Sequence, residues 1–88
     1  MALAKKVNFT RFSRFGANLG RLTYTAATHE DATDGTDELK IRCDEDLGKG
    51  EYLVWVDRQG VVHEHIVDSI ERLHDDNGKP YTSVTCIN

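Results

Sequence analysis

The chain has 88 residues, of which 39% are apolar and 30% are charged, and its formal net charge is −4 at pH 7. A chain of this length forms one domain at most, and its 21 Leu, Ile, Val and Phe residues, about 24% of the total, exceed the roughly 20% below which disorder is expected. Because no apolar run approaches the roughly 20 residues of a membrane span, and no apolar segment follows Lys5 and Lys6 as a secretory signal requires, we predict a single folded cytoplasmic domain (1–88) without membrane contact.

Charge divides the chain into three parts. Residues 1–28 form a basic N-terminal element with five bases and no acid. Residues 29–57, the acidic loops and strands, hold ten acids and three bases, and the hairpin-rich part 58–88 holds five acids and three bases. This asymmetry indicates either two faces with different partners or a basic element that packs beside an acidic loop.

Residues 10–23 are compatible with two structures. A helix would place four apolar residues, spaced i, i+3, i+7 and i+10, on one face. These residues are Phe12, Phe15, Leu19 and Leu22. Gly16 and Gly20 disfavour that helix, because each costs roughly 1 kcal/mol relative to alanine in a helix interior. The alternative is a strand over Val7–Arg14 followed by a glycine-rich turn, and the sequence leaves both open.

The next segment favours a strand and then a loop. Residues 22–28 are rich in threonine and tyrosine, which favour extended backbone. Alternation would place Leu22, Tyr24 and Ala26 on one face. Residues 29–37 are polar and contain an Asp-Gly pair, so we predict a loop there.

Two clearer strands follow. Over residues 39–43 apolar side chains alternate with Lys40 and Arg42, which predicts a half-buried strand. A loop at 44–50 separates it from Tyr52–Val56, which is apolar on both faces and is therefore predicted to be central in the sheet.

A tight turn organises the chain after this strand. Asp57–Gly60 has Asp at its first position and Gly at the last, where a positive φ is needed. A strand beginning at Val61 should therefore pair antiparallel with Tyr52–Val56, with Val54 and Trp55 on opposite faces.

The last segment contains a second turn. Over residues 67–74 a helical turn competes with a further strand, because apolar residues recur at both spacings. Asp75–Gly78 predicts a turn in which the Asn-Gly pair adopts positive φ at both positions. Pro80 then precedes a closing strand over Tyr81–Ile87, where its missing N–H is tolerated.

Together these patterns predict an α+β domain with a four- to five-stranded antiparallel sheet and zero to two short helices, and they leave a small, strongly curved sheet as the alternative. No motif identifies a family.

Two histidines form the feature that most resembles a metal site. His63 and His65 are two residues apart on a predicted strand, so both imidazoles point the same way. No further ligand follows at a recognisable spacing, and paired histidines on a sheet face are usually solvated. We therefore expect no metal and no other cofactor.

The two cysteines, Cys43 and Cys86, are expected to be buried free thiols, since small secreted scaffolds usually carry four or more cysteines.

Catalytic patterns are absent from the sequence. No nucleophile lies at a strand-to-helix elbow beside a base, and no phosphate-binding glycine motif or calcium loop matches its template. We therefore predict that the protein is not an enzyme, and we assign no catalytic residue.

The acidic residues are the first candidate for a binding surface. They suit a protein or ribonucleoprotein partner with a basic surface, because complementary charge steers association. These acids are Glu30, Asp31, Asp34, Asp37, Glu38, Asp44, Glu45 and Asp46. We predict a small non-catalytic protein that binds and modulates or inhibits a macromolecule, for example a phage or mobile-element inhibitor of the anti-CRISPR type.

The basic N-terminal residues are the alternative surface. Cations interleaved with aromatic side chains are typical of nucleic-acid binding. These bases are Lys5, Lys6, Arg11, Arg14 and Arg21. Nucleic acid is the less favoured partner, because the sequence pI is near 5.4. The three phenylalanines nearby are expected to belong to the core.

Overall fold

The computed structural model describes residues 7–31, 35 and 37–88, and these contain seven strands and no helix. The strands are β1 (Thr10–Phe12), β2 (Asn18–Arg21), β3 (Tyr24–Asp31), β4 (Asp37–Cys43), β5 (Tyr52–Val56), β6 (Val62–His74) and β7 (Pro80–Ile87). They pair antiparallel in one curled sheet, a half-barrel with the order β2-β1-β5-β6-β7-β4-β3. The prediction of an α+β domain with four or five strands is therefore wrong, because every segment that could have been helical is extended.

The segment 10–23 forms a hairpin and not a helix. Strands β1 and β2 pair through Thr10↔Arg21 and Arg11↔Gly20. The helical spacing of the apolar residues is coincidental, since Leu22 is buried while Phe15 is 89% exposed at the turn. The expectation that all three phenylalanines lie in the core is correct for Phe9 and wrong for Phe15.

Three hairpins share a turn that begins with Ser or Asp and ends with Gly: 13–16, 57–60 and 75–78. In each, the backbone N–H of the glycine donates to the carbonyl oxygen of the first residue, and that residue's N–H donates to the carbonyl beyond the glycine. The side-chain oxygen of the first residue accepts the N–H groups two and four residues later. Only the glycines have positive φ, so the prediction of a positive φ at Asn77 is wrong and that at Gly78 is confirmed. A type I turn followed by one left-handed glycine explains this geometry.

The central hairpin confirms the sequence prediction. Strand β5 pairs antiparallel with β6 across the turn at Asp57, with Trp55 opposite His63 and Val54 opposite Glu64. Trp55 is 1% exposed on the concave face, and Val54 is half-buried on the other face. Strand β5 also pairs with β1, so its predicted central position is confirmed.

Bulges explain where the sequence patterns misled. In β6 the register shifts between Val67 and Ser69, so the apolar spacing along the strand resembles that of a helix, although the strand continues to His74. In β3 the register shifts between Tyr24 and Ala26. That shift buries residue 27 in place of Ala26, so the predicted apolar face of this strand is wrong beyond the bulge.

Strands β3 and β4 also reach further than predicted. They continue into the segment 29–37, which was expected to be a loop, and pair as far as Asp31↔Asp37. The predicted alternation in 39–43 and the predicted loop at 44–50 are confirmed.

The core fills the concave face of the sheet. The two edges of the sheet approach each other where β2 continues into β3: the N–H of Leu22 donates to the carbonyl of Phe9 (2.9 Å), and Tyr24 Oη donates to the carbonyl of Val7 (2.6 Å). The buried apolar residues are Phe9, Leu22, Ala27, Leu39, Ile41, Cys43, Leu47, Leu53, Trp55, Val67, Val84 and Cys86. Both cysteines are buried free thiols, as expected. In the described part of the chain, no helix is long and apolar enough to cross a membrane.

Candidate functional site

Polar groups occupy one end of the concave face. His63 and His65 point inward from β6, His29 points inward from β3, and Asp37 begins β4. The rings of His29 and Trp55 meet edge to face, with the ring centroids 5.0 Å apart. Sequence reasoning found His63 and His65 but missed His29 and Asp37 as their neighbours, because only the curl of the sheet brings β3 and β6 together.

His65 is fully buried and is held in one tautomer. The indole N–H of Trp55 donates to its Nδ1 at 3.1 Å. A nitrogen that accepts a hydrogen bond carries no proton, so the proton lies on Nε2, which donates to Asp37 Oδ1 at 2.8 Å. The expectation of a solvated histidine pair is therefore wrong for His65, which is 0% exposed.

Asp37 is the hub of this cluster. Its Oδ1 bonds His29 Nε2 at 2.6 Å as well as His65, and its Oδ2 accepts a hydrogen bond from Asn88 Nδ2 at 2.9 Å. Burial raises the pKa of the Asp37 carboxyl, but the hydrogen bonds from Asn88, His65 and His29 outweigh it and hold the pKa well below its usual range. The carboxylate is therefore ionised throughout the physiological range.

His63 is placed by a ring and a carboxylate. Its imidazole stacks on Trp55 with centroids 4.3 Å apart and an interplanar angle of 17°. Its Nε2 bonds Asp57 Oδ2 at 2.8 Å, so the turn residue also orients the histidine. The His63 hydrogen bond, followed by the N–H of Val61, lowers the pKa of Asp57 below its ordinary value.

This cluster can hold a metal ion. One ligand atom from each of His29, Asp37 and His63 lies within 4.8 Å of the other two. Two imidazoles and one carboxylate are a donor set used by catalytic zinc sites.

The convex face of the sheet carries a row of apolar side chains. Directly paired residues point to the same face, and the pairings Phe12↔Tyr52, Tyr52↔Ile66 and Ile66↔Ile87 run across four strands. The rings of Phe12 and Tyr52 stack at 5.1 Å with an interplanar angle of 9°. Ile66 is 45% exposed and Ile87 is 42% exposed. We call these four residues the apolar row.

Further apolar side chains extend the apolar row on the same face. Val54 lies two residues from Tyr52 and is half-buried, and the pair Val56↔Val62 lies beyond it. Val56 is 51% exposed and Val62 is 65% exposed. Exposed apolar side chains this close together mark interaction surfaces more often than scattered ones do. The sequence signal for them was the apolar character of both faces of β5.

The eight acids chosen from the sequence do not lie together. Four lie at one end of the β3–β4 hairpin: Glu30, Asp31, Asp37 and Glu38. Three lie in the loop that follows the other end of β4: Asp44, Glu45 and Asp46. Strand β4 has seven residues, which at about 3.3 Å per residue separates the two groups by roughly 20 Å. Asp34 lies outside the described residues.

Several of these acids already have partners within the chain. Glu38 pairs with Lys40 at 3.4 Å, and Asp46 pairs with Arg72. The carboxylate of Glu45 accepts the backbone N–H of residue 23 at 2.5 Å. These contacts leave fewer acids available to a partner than the sequence suggests.

The basic residues chosen from the sequence also differ in their surroundings. Arg11 is half-buried, and its Nε donates to Glu51 Oε1 at 2.5 Å. Arg14 and Arg21 are exposed on the β1–β2 hairpin, with the Arg14 guanidinium 5.3 Å from the centre of the Phe15 ring. Lys5 and Lys6 lie outside the described residues.

Comparisons of the chain with protein-family models, with curated proteins and with solved structures find no match.

Proposed function

We propose that this is a non-catalytic protein that binds a partner protein through the apolar row on its convex face. The observation that supports it is the alignment of Phe12, Tyr52, Ile66 and Ile87 in direct register across four strands. Such a surface is built on hydrogen-bonded strands, so a partner can desolvate it at little entropic cost. The central residues of such a patch supply most of the binding energy.

Two exposed acids beside the apolar row favour a partner with basic groups. Glu64 and Glu71 project from the same face of β6, because each pairs with an outward-facing neighbour, Val54 and Ser83 respectively. Both are exposed, and no described residue forms an ion pair with either. Lysine or arginine on the partner would form ion pairs with these two glutamates, and the net charge of −4 adds long-range attraction.

The proposal extends to the biological role. Binding by an acidic protein can block the basic surface on which a ribonucleoprotein holds nucleic acid, and inhibition of a phage-defence complex is one such role. We propose a cytoplasmic location, and the free thiols Cys43 and Cys86 support it, since free thiols persist in reducing compartments.

The test compares two variants of similar exposure on different surfaces. Ile66→Thr removes apolar area from the centre of the apolar row, and Leu19→Thr does the same on β2, where Leu19 is 49% exposed. Threonine keeps strand propensity, so the free energy of unfolding of both variants should lie within about 1 kcal/mol of the wild-type value. Partner capture from nuclease-treated host lysate should weaken about 30-fold for Ile66→Thr, as expected for a hot-spot loss of about 2 kcal/mol, and should not change for Leu19→Thr.

Three outcomes would contradict the proposal. Equal capture by the two variants would remove the apolar row from the interface. Sedimentation showing a dimer that Ile66→Thr dissociates would assign the face to a second copy of the chain. Capture that disappears on nuclease treatment would favour nucleic acid.

Nucleic-acid binding is the second candidate because of the tip of the β1–β2 hairpin. Phe15 is 89% exposed there beside Arg14, which is an arrangement on which an unpaired base can stack. If this candidate is correct, Phe15→Ala will weaken single-stranded nucleic-acid binding by about 1–3 kcal/mol. Arg14→Ala will lower the slope of log affinity against log salt by about 0.7.

A further inference from the structure

We propose that His29, Asp37 and His63 bind a divalent transition-metal cation of the zinc type at the polar end of the concave face. This site lies on the opposite face of the sheet from the apolar row and does not depend on the proposed function. The proposal replaces the sequence-based expectation that no metal binds, which started from His63 and His65 and found no further ligand at a recognisable spacing.

The distances suit an ion that replaces a proton. His29 Nε2 and Asp37 Oδ1 share a hydrogen at 2.6 Å. With zinc–ligand bonds of about 2.0–2.1 Å in a tetrahedron, the two atoms would stand about 3.4 Å apart. These two atoms would therefore separate by less than about 1 Å. The His63 ligand atom lies within 4.8 Å of both and would approach them by up to about 1.4 Å.

Outer contacts orient two of the three ligands, His63 and Asp37, in the way that metal sites require. Metal-binding histidines almost always give their second ring nitrogen to a carboxylate or carbonyl. His63 Nε2 is bonded to Asp57 Oδ2 at 2.8 Å, so Nδ1 is the ring nitrogen that would bind the ion. Asp37 is fixed by Asn88 and by His65, and His65 is fixed in turn by Trp55. These supports come from strands and turns, so His63 and Asp37 are preorganised.

The site is enclosed but reachable. The side chains of His29, Asp37 and His63 are 13%, 16% and 16% exposed. Three protein ligands leave a fourth position for water, as in open zinc sites. Strand β7 lies between β6 and β4 in the sheet, so the ion would connect β6 to the β3–β4 hairpin across the concave face.

The test uses Zn²⁺ alone and the purified chain after chelator treatment. Equilibrium dialysis should give one Zn²⁺ per chain, and the fluorescence of Trp55, the single tryptophan, should change on binding because His63 stacks on it. Binding should weaken at lower pH, since imidazole must lose its proton to bind the metal. His29→Gln and His63→Gln should each weaken Zn²⁺ binding at least 100-fold.

Asp57→Asn tests the site without removing a ligand. Asparagine keeps the oxygen that accepts the turn N–H groups, but it presents an amide donor to His63 Nε2. That donor favours the tautomer with hydrogen on Nδ1, so Zn²⁺ affinity should fall about 10- to 100-fold. His74→Gln is the matched control, because His74 is exposed at the far end of β6, and its affinity should equal that of the wild-type.

The fold of each variant is checked by cooperative thermal unfolding in chelator. A wild-type dissociation constant weaker than about 1 mM, which corresponds to roughly −4 kcal/mol, would overturn the proposal. Unchanged affinity in His29→Gln, or a loss in His74→Gln equal to that in His29→Gln, would also overturn it. If His63→Gln fails to fold, His29→Gln and Asp57→Asn decide the question.

Discussion

Replacement of Asp37 by asparagine is the sharpest test of the polar cluster. Asparagine has the same shape, so the change removes one charge and turns one acceptor oxygen into a donor. In the wild-type protein, Oδ1 of Asp37 accepts hydrogen bonds from His29 and His65, and Oδ2 accepts one from Asn88. An amide cannot accept on both atoms, so at least one of these three donors loses its partner.

The expected loss follows from these bonds. The donor that loses its partner is the exposed amide of Asn88, which can turn to water. The cost lies in the bonds from His29 and His65, because hydrogen bonds to a charged group exceed neutral ones by about 1 kcal/mol each. Because the Asp37 side chain is only 16% exposed, solvent replaces little of this. Asp37→Asn should therefore lower the free energy of unfolding by about 2 kcal/mol, and 1 kcal/mol corresponds to roughly 4–8 °C in Tm for a domain of this size.

The pH dependence of this loss has a definite sign. The Asp37 carboxyl has an ordinary pKa of 3.8 and a lower pKa in the folded protein. A depressed pKa stabilises the fold above the unfolded value, and that contribution disappears as the pH falls through the folded value. The difference in unfolding free energy between wild-type and Asp37→Asn should be constant above about pH 5 and should shrink in acid.

The assay is urea unfolding in chelator between pH 3 and pH 7, followed by far-ultraviolet circular dichroism. Asp76→Asn is the control, because Asp76 is an exposed turn residue and its replacement should change stability by less than about 0.5 kcal/mol. An Asp37→Asn loss no larger than that of Asp76→Asn, or a loss that grows as the pH falls, would refute the account of the cluster.

Two further predictions concern a thiol and a turn. Burial raises the pKa of Cys86 to about 12, so as the pH rises this thiol ionises in the unfolded chain before it does in the folded one. The free energy of unfolding should therefore fall by up to about 1.4 kcal/mol per pH unit between pH 9 and 12. Alkaline urea titrations in which this free energy falls with pH as steeply for Cys86→Val as for the wild-type would contradict the prediction. Gly60 has φ +84° and no neighbouring atom within 4 Å of an added Cβ, so Gly60→Ala should lose roughly 1–2 kcal/mol from backbone strain alone. Gly60→Asn should lose less, since asparagine tolerates this region, and equal losses in thermal unfolding would argue against strain as the cause.

The candidate site was predicted in part. Alternation in β5 and β6 placed His63 and His65 on one face, which is correct. The same alternation could not show that Asp37 and His29 meet them, because these residues lie more than twenty positions earlier in the chain. Nor could it show that Ile66 and Ile87 are neighbours, since that pairing depends on the register between β6 and β7.

The sequence by itself determined the local elements that depend on residues close in the chain. The turns at 57–60 and 75–78, the strand Tyr52–Val56 and the alternation in 39–43 follow from side chains that bond or alternate within a few positions. Tertiary structure decided everything that depends on distant pairing: the extended state of 10–23 and 67–74, the bulges that reverse a face, and the curl of the sheet. In residues 10–23 the two glycines disfavoured a helix, whereas the spacing of the apolar residues favoured one. The hydrogen bonds of β1 to β5 and of β6 to β7 resolved both in favour of strands, because a neighbouring strand supplies the backbone partners and the buried surface that a short isolated helix lacks.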